Sequence, residues 1–278
     1  MSYECLVYTR HESGVGHVLL NRPTQLNALN QQLQDELWDV VNVAEEDPDV
    51  RVLLFSGAPR PDGRGNFCAG ADIKEMATSP DPGATAEGVA EMVRTMMTQD
   101  LIFTPPLIAL CTRLETIRTP SVAAIDGVCT AGGLELALAC DIRIAATTAR
   151  ISDLHMKNLG HIGGGGVSVR LARTVGPAWT KQIMMTGDTL EPETALRIGL
   201  VNELHEPDAL MDAAFTLAGK IAERRPAANG MLKAATYAAM DLRLETALRY
   251  SVVGRASLYD REKYAQFSDR SSGSAADG

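Results

Sequence analysis

The chain has 278 residues and a mass of 29.8 kDa, enough for one large domain or two smaller ones. Hydrophobic residues make up 45% and charged residues 22%, a globular composition that argues against a disordered or fibrous protein. The net charge is −9, and no basic stripe with interleaved aromatic residues is present, so we expect no nucleic-acid partner. No apolar run approaches the ~18 residues that suggest a membrane span.

The N-terminal residues have neither an apolar signal core nor an Arg- and Ser-rich pattern, so we expect a cytoplasmic protein. Five cysteines form no Cys-x-x-Cys pair, which favours reduced thiols that pack as small apolar side chains over disulfides or zinc. His155 and His161 are six residues apart and do not share a helical face, so we predict no metal site.

Short apolar runs alternate with helical patterns through the first half of the chain. We predict strands at 5–9, 15–20, 50–56, 121–125 and 142–145. We predict helices from Asn27 to Asp47, from Pro106 to Arg118 and after Gly133. This alternation is typical of an α/β fold with substantial parallel strand pairing.

Beyond this core, prolines stand where helices could begin and glycines where they could end. They are Pro177, Pro192, Pro207 and Pro226, and Gly176, Gly187 and Gly199. We therefore divide the chain into a core at 1–205, a helical region at 206–268 and a disordered tail at 269–278. The small, polar stretch 77–88 predicts a mobile loop beside a site.

A first candidate site segment is Ala69-Gly70-Ala71-Asp72. Its small residues let a ligand approach the backbone closely, and free N–H groups in such a turn can bind a developing anion. Asp72 is a suitable cap for a helix that starts near Ile73. An ordinary turn before a helix explains the same residues, and spacing alone favours that simpler interpretation.

A second candidate segment surrounds Gly132-Gly133, where a buried strand is followed by a turn and a helix. The first N–H groups of a helix lack partners and lie at the positive end of its dipole. Glu135 lies there among apolar residues. A buried carboxylate costs free energy unless it is paired or functional, and burial would raise its pKa toward a value suited to proton transfer. A solvent-facing Glu135 that stabilises the helix dipole is an equal alternative.

A third candidate segment is the glycine run at 163–166. Four glycines cannot form a helix interior, and they suit a loop that lies against a ligand or another backbone. No Gly-Lys-Ser/Thr follows, and no G-x-G-x-x-G joins a strand to a helix, so a phosphate loop or dinucleotide fold has little support.

Five motifs follow one another along the chain in a fixed order. They are Asn21-Arg22-Pro23 with Leu26-Asn27-Ala28-Leu29, Phe67 to Lys74, Ala124 to Gly127, Ala131 to Leu136, and Ala139 to Ala145. Together they resemble the enoyl-CoA hydratase/isomerase (crotonase) superfamily over about residues 5–265. The resemblance implies a spiral of ββα turns with a helical C-terminal trimerisation region, and a homotrimer or a hexamer built as a dimer of trimers.

The resemblance also implies an acyl-CoA thioester substrate and no permanently bound cofactor. Two backbone N–H groups, here those of Ala71 and Gly132, would form an oxyanion hole for the thioester oxygen. Glu135 matches one of two glutamates that the hydratases use for proton transfer. The coenzyme A part would lie along Gln25, Leu26, Asn27, Ala69, Gly70, Asp72, Ile73 and Lys74.

The second glutamate of the hydratases is absent from this sequence. Alignment on Leu159-Gly160 puts Met156 at its position, and alignment on the glycine run puts His155 there. Methionine cannot transfer protons, whereas histidine can near neutral pH. We therefore expect a hydratase that acts on an atypical enoyl-CoA, with Glu135 as the base and His155 as its partner; Asp153 and His161 are the other candidates for the partner's role.

Two alternatives remain open from the sequence. One is another enolate reaction of the superfamily that uses His155 or His161, such as C–C or ring hydrolysis, isomerisation or decarboxylation. The other is a catalytically weak member that only binds acyl-CoA. An apolar acyl pocket, or simply core or subunit contacts, would explain Met92, Met96, Met97, Ile102, Phe103 and Leu107.

Overall fold

The computed structural model describes residues 2–78, 87, 106–261, 263 and 264. Most of the predicted loop at 77–88, the Met-rich stretch except Leu107, and the predicted tail at 269–278 lie outside the described residues. Among the described residues, no helix is both long and apolar enough to cross a membrane. All five cysteines are free, and four of them are buried.

The strands of the described ranges form two sheets. Their bounds are β1 Leu6–Arg10, β2 Val15–Leu20, β3 Val52–Gly57, β4 Asn66–Cys68, β5 Ser121–Ile125, β6 Val128–Thr130, β7 Ile142–Ala146, β8 Arg150–Ser152 and β9 Glu203–His205. The larger sheet has the order β1-β2-β3-β5-β7-β9 and the smaller one β4-β6-β8. Only β1 and β2 pair antiparallel, so the predicted parallel α/β fold is confirmed.

Helices connect the strands and form the C-terminal part of the chain. Their bounds are α1 Gln31–Glu46, α2 Ile73–Met76, α3 Pro106–Thr116, α4 Gly132–Ala139, α5 Val167–Thr186, α6 Pro192–Arg197, α7 Pro207–Ala222, α8 Pro226–Asp241 and α9 Leu244–Ser257. A 3₁₀-helix spans Pro23–Gln25 and a π-helix spans His155–Leu159. Three of the predicted helix-starting prolines are first residues of helices, and Pro177 follows a non-helical Gly176 inside α5.

The predicted start of the first helix at Asn27 is wrong. The helix begins at Gln31, and the side chain of Asn30 caps it by accepting a hydrogen bond from the N–H of Leu33 at 3.0 Å. Asn27 is instead fully buried, and its amide nitrogen donates to three backbone carbonyls within 58–67. An asparagine that precedes regularly spaced apolar residues looks the same in the sequence whether it caps a helix or is buried and binds backbone carbonyls.

Apolar side chains cover both faces of the large sheet. One face packs with α1, α3 and α4 in the main core. The other packs against apolar residues of α7. The buried residues of this cluster are Leu210, Ala214, Ala218 and Ala222 with Val15, Val52, Leu54, Val122, Ala124, Ile144 and Ala146. The first helix of the predicted C-terminal region thus belongs to the packing of the sheet, and the boundary at 205/206 stays a prediction.

Candidate active site

The site lies where the three parallel strands of the smaller sheet end. Beyond the last residue of β4 comes the turn with Ala71, beyond β6 comes the start of α4 with Gly132, and beyond β8 comes Asp153. Because parallel strands end at a common edge of a sheet, the two candidate oxyanion-hole segments and the histidine segment meet there. Each of these strands has only three residues, which is too short to show an alternation of apolar and polar residues, so we did not predict them from the sequence.

The backbone nitrogens of Ala71 and Gly132, the two groups that the resemblance assigns to an oxyanion hole, lie near each other. A β-carbon on Gly132 would lie 3.3 Å from the nitrogen of Ala71, and one on Gly70 would lie 3.0 Å from the nitrogen of Gly132. Leu29 pairs with the backbone on either side of Ala71, so the N–H of Ala71 itself points away from that pairing. Neither N–H donates a hydrogen bond to any residue in the described part of the chain.

The residue before Gly132 has a strained backbone. Ala131 has φ 49° and ψ −119°, a conformation that costs a residue with a side chain about 1–3 kcal/mol. Its N–H donates to the carbonyl of Ser152 at 3.3 Å, which ties the turn to β8. The strain sets the direction in which α4 begins, and nothing in the sequence indicated it.

Glu135 is fully buried one turn into α4. Its Oε1 accepts hydrogen bonds from the N–H groups of Gly165 at 2.8 Å and Val167 at 3.1 Å, whereas Oε2 has no partner among the described residues. Burial raises the pKa of this carboxyl, although the two N–H groups and a nearby His155 act in the opposite direction. The alternative in which Glu135 faces solvent is wrong.

His155 forms a buried pair with Asp153. Nδ1 of His155 lies 2.6 Å from Oδ1 of Asp153, and the side chains are 7% and 0% exposed. Burial lowers the pKa of His155, but the hydrogen bond to Asp153 and the carboxylate of Glu135 outweigh it, so the pKa lies above its ordinary value. Met156, the other residue that aligned with the missing glutamate, is 38% exposed.

Glu135 and His155 converge on the glycine run. A β-carbon on Gly163 would lie 2.8 Å from Oε1 of Glu135 and 2.9 Å from Cε1 and Nδ1 of His155. A β-carbon on Gly165 would lie 2.5 Å from Oε2 of Glu135 and 2.9 Å from Cγ of Leu107. The run was predicted to lie against a ligand or another backbone; at Gly163 and Gly165 it lies instead against side chains, because glycine there leaves room for both ionisable groups.

His161 lies beside the pair but is held differently. Its ring centroid is 5.5 Å from that of His155. Its Nδ1 accepts a hydrogen bond from the N–H of Gly163 at 3.0 Å. The residue itself is exposed. No group of three His, Cys, Asp or Glu within the described ranges could hold a metal ion.

Leu107 lies between the start of α4 and the glycine run. Its Cδ2 would lie 3.2 Å from a β-carbon on Gly132, and its Cγ is near Gly165 as described above. The side chain of this α3 residue therefore lines the space between the two backbone N–H groups and the carboxylate. An apolar side chain there favours contact with an apolar acyl group.

Arg170 is a site-supporting residue that the sequence analysis missed. Its Nε and Nη2 each lie 2.7 Å from an oxygen of Glu115, and its Nη1 donates to the carbonyl of Gly165. The same Gly165 donates its N–H to Glu135. No sequence signal reveals this arrangement, because Glu115 and Arg170 lie on helices that only the fold brings together.

The two segments implied to bind coenzyme A are adjacent. The carbonyl of Leu26 accepts a hydrogen bond from the N–H of Ala69 at 3.0 Å, and Arg22 pairs with Asp72 at 3.0 Å. Asp72 also caps α2, as predicted. Gln25, Ile73 and Lys74 are exposed, Leu26 is half-buried, Gly70 is buried, and the side chain of Asn27 is used inside the protein. The backbone N–H of Asn27 also donates within the protein, to the carbonyl of Arg22 at 2.9 Å, and the residue is fully buried, so it exposes no group to a ligand.

Comparison with known proteins matches residues 10–264 to the family described as enoyl-CoA hydratase/isomerase. The chain belongs to the enoyl-CoA hydratase/isomerase family. It is therefore an enzyme of that family, and the predicted resemblance is confirmed.

Relatives of this enzyme match over almost its full length. A probable enoyl-CoA hydratase, echA8, of Mycobacterium tuberculosis is 34% identical over 90% of the chain and 88% of the relative. A short-chain-enoyl-CoA hydratase of Clostridium acetobutylicum is 36% identical over 88% of the chain and 85% of the relative. The crystal structure of an enoyl-CoA hydratase from Bacillus anthracis superposes with a TM-score of 0.81 at 30% identity, over 96% and 97% of the two chains. The crotonase-like fold is thus confirmed, while a role of the helical C-terminal region in trimerisation stays a prediction.

Proposed function

We propose that this enzyme hydrates an atypical enoyl-CoA thioester, with Glu135 and His155 as its proton-transfer pair. The observation that carries the proposal is that both side chains pack against Gly163, at the edge where Ala71 and Gly132 present free N–H groups. The hydratases among its relatives support the reaction class. The pairing of Glu135 with a buried histidine supports a mechanism that differs from that of hydratases with two glutamates.

In the proposed reaction, the Glu135 carboxylate takes one proton from a water molecule while the water oxygen bonds to the β-carbon. The π electrons of the double bond move to the thioester oxygen, where the N–H groups of Ala71 and Gly132 stabilise the enolate. The enolate then takes a proton from the His155 imidazolium at the α-carbon. The proton held by Glu135 returns to His155 through solvent, so one water molecule is added in total.

The pKa directions suit these roles. A raised pKa makes the Glu135 carboxylate a stronger base than an exposed glutamate. A raised pKa keeps His155 protonated at higher pH and so able to donate to the α-carbon. Each correctly placed acid or base contributes about 10²–10⁴-fold to the rate.

The remaining expectations form part of the proposal. Coenzyme A would lie along the joined segments at 25–27 and 69–74, with the acyl group directed past Leu107. The exposed apolar side chains of α8 and α9 support assembly into a trimer or hexamer. These side chains are Leu232, Met240, Leu244, Leu248, Val252 and Val253. A cytoplasmic location is the other part of the proposal.

A second candidate function is hydrolysis of a C–C bond in a β-keto or cyclic thioester. The buried Asp153–His155 pair favours it, because an imidazole held by a carboxylate is an effective base for activating water. The enolate leaving group would use the same two N–H groups. The two reactions differ in the substrate, an enoyl thioester or a β-keto thioester, and in the base that activates water, Glu135 or His155.

The test follows the absorbance of the enoyl thioester with crotonyl-CoA and with bulkier enoyl-CoA esters. Wild type should bleach at least one of them, and Glu135→Gln and His155→Gln should each slow the bleaching at least 100-fold while binding of coenzyme A persists by calorimetry. Bleaching that survives in Glu135→Gln would overturn the proposal. Absence of bleaching together with cleavage of a β-keto thioester would establish the second candidate.

A further inference from the structure

Asp153 has a specific relationship with His155. Its Oδ1 lies 2.6 Å from Nδ1 of His155 and accepts the backbone N–H of the same residue at 3.2 Å. These are the only hydrogen bonds that the Asp153 side chain makes within the described residues. No other element of the fold is held by this carboxylate, although it is fully buried.

A buried carboxylate with so few partners is costly. Its second oxygen, Oδ2, has no hydrogen-bond partner among the described residues, and an unpartnered buried polar atom reduces stability. A structural role would be expected to satisfy both oxygens. The contact with the imidazole is therefore the feature of Asp153 that needs a functional explanation.

The contact decides which nitrogen of His155 can exchange a proton. A carboxylate oxygen is an acceptor, so Nδ1 of His155 must carry hydrogen to make the 2.6 Å bond. The other ring nitrogen, Nε2, makes no hydrogen bond with the part of the chain that the structure describes. Neutral His155 therefore has its lone pair on Nε2, and the protonated ring gives up its proton there.

We propose that Asp153 is a positioning residue that holds His155 in the Nδ1–H tautomer and makes Nε2 the atom that exchanges protons with the substrate. This inference rests on the proposed function, in which His155 protonates the α-carbon. Asp153 touches neither the substrate nor the reacting carbons in this scheme. It acts through the imidazole.

His161 supplies a contrast within the same site. Its Nδ1 accepts the N–H of Gly163 at 3.0 Å, so the neutral ring carries its hydrogen on Nε2. Two adjacent imidazoles thus have opposite tautomers, set by opposite partners. The ionisable groups near His155 are Asp153 from its own segment, Glu135 from α4 and His161 from the loop.

The first readout is nitrogen NMR of the histidine rings in the full-length protein, with His155→Gln and His161→Gln used for assignment. At a pH where both rings are neutral, His155 should show the Nδ1–H pattern and His161 the Nε2–H pattern. In Asp153→Ala the His155 pattern should shift to Nε2–H while that of His161 stays unchanged. An Nε2–H pattern for His155 in wild type would overturn the proposal without any measurement of activity.

The second readout is the rate of enoyl-CoA hydration. Asp153→Ala and Asp153→Asn should lower kcat at least 100-fold with KM within about threefold of wild type, because a wrong or loose tautomer costs up to about 10⁴-fold. The isosteric Asn variant provides the rate if the Ala variant does not fold. Wild-type kcat in either folded variant would overturn the proposal.

The two proposals can fail separately. If His155→Gln hydrates the substrate as fast as wild type, the proposed role of His155 is wrong, whatever its tautomer. If His155→Gln is inactive but a folded Asp153→Asn variant is fully active, only the positioning role of Asp153 is wrong. Loss of activity in both, with the tautomer shift in Asp153→Ala, supports the two together.

Discussion

The backbone N–H of Gly165 donates a hydrogen bond to Oε1 of Glu135 at 2.8 Å. The carbonyl of Gly165 in turn accepts from Arg170, whose guanidinium is held by both oxygens of Glu115. An ion pair between α3 and α5 thus fixes the loop that orients the buried carboxylate. Such a bidentate pair gives direction as well as attraction.

We expect Arg170→Lys to lower turnover because lysine cannot bind both Glu115 oxygens and the Gly165 carbonyl in one plane. Loss of a barrier contribution of about 1.4 kcal/mol corresponds to a tenfold lower kcat. Binding of coenzyme A should be unchanged. Arg173→Lys, on the same helix but in an exposed pair with Asp241, is the control. Equal kcat in the two variants would contradict the supporting role of Arg170.

We expect Gly163→Ala to abolish most activity. A β-carbon there would lie within 3 Å of both Glu135 and His155, and φ is +82°. Displacement of catalytic groups by about 1 Å costs about 100-fold in rate. Gly164→Ala is the matched control, since its β-carbon would meet nothing within 4 Å. Similar rates for the two variants, each shown to fold by circular dichroism, would show that the two side chains do not depend on this contact.

We expect Glu135→Gln to raise the stability of the protein while it lowers activity. Burial raises the pKa of Glu135, so the folded protein binds this proton more tightly than the unfolded chain does. The stability that this proton contributes to the folded protein is fully present below the pKa of Glu135 in the unfolded chain, about 4.3. It is lost as the pH rises through the higher pKa of Glu135 in the folded protein. The gain in melting temperature of the Gln variant should therefore be larger at pH 7.5 than at pH 5. A gain that is constant, or that grows on acidification, would contradict this explanation.

We expect Lys233→Met to destabilise the docking of α8 on the core. The ammonium group is buried and donates to Oδ2 of Asp141 at 2.9 Å and to the carbonyls of Leu114 at 2.7 Å and Thr119 at 3.3 Å. Methionine would fill the volume but remove the ion pair with Asp141, whose Oδ2 would keep only its hydrogen bonds from Ser121. It would also leave the two carbonyls without the ammonium donor, at a total cost of about 2–3 kcal/mol. Urea unfolding measures the loss in the free energy of unfolding, and Lys220→Met, at an exposed position, is the control. A change below about 1 kcal/mol would show that the cluster does not hold the helix.

The parts of the fold that repeat a regular pattern were predictable from the sequence. The apolar run of β3 and the apolar spacing of α1 each identify an element because burial of one face imposes a period on the residues. The three-residue strands β4, β6 and β8 are too short to show any period. Their backbone partners are distant in the chain, so only the assembled sheet defines them.

The candidate site was predictable where the chemistry resides in one segment. Glu135 was notable because a carboxylate in an apolar helix is costly, and the glycine run because it cannot be helical. Asp153 and Arg170 were not identified as supporting residues, because their roles depend on which side chains the fold places beside them. The strain at Ala131 has no sequence signature, since alanine is common in helices and turns alike.

The joint action of Glu135 and His155 can be measured with a double-mutant cycle in enoyl-CoA hydration. The rates of wild type, Glu135→Gln, His155→Gln and the double variant are measured with the substrate that wild type bleaches fastest. If the two residues act as one proton-transfer unit, each single variant loses at least 100-fold and the double variant loses little more, because such units are strongly non-additive. A His155→Gln variant with wild-type rate, or losses that simply multiply in the double variant, would show that Glu135 and His155 do not act as one proton-transfer unit.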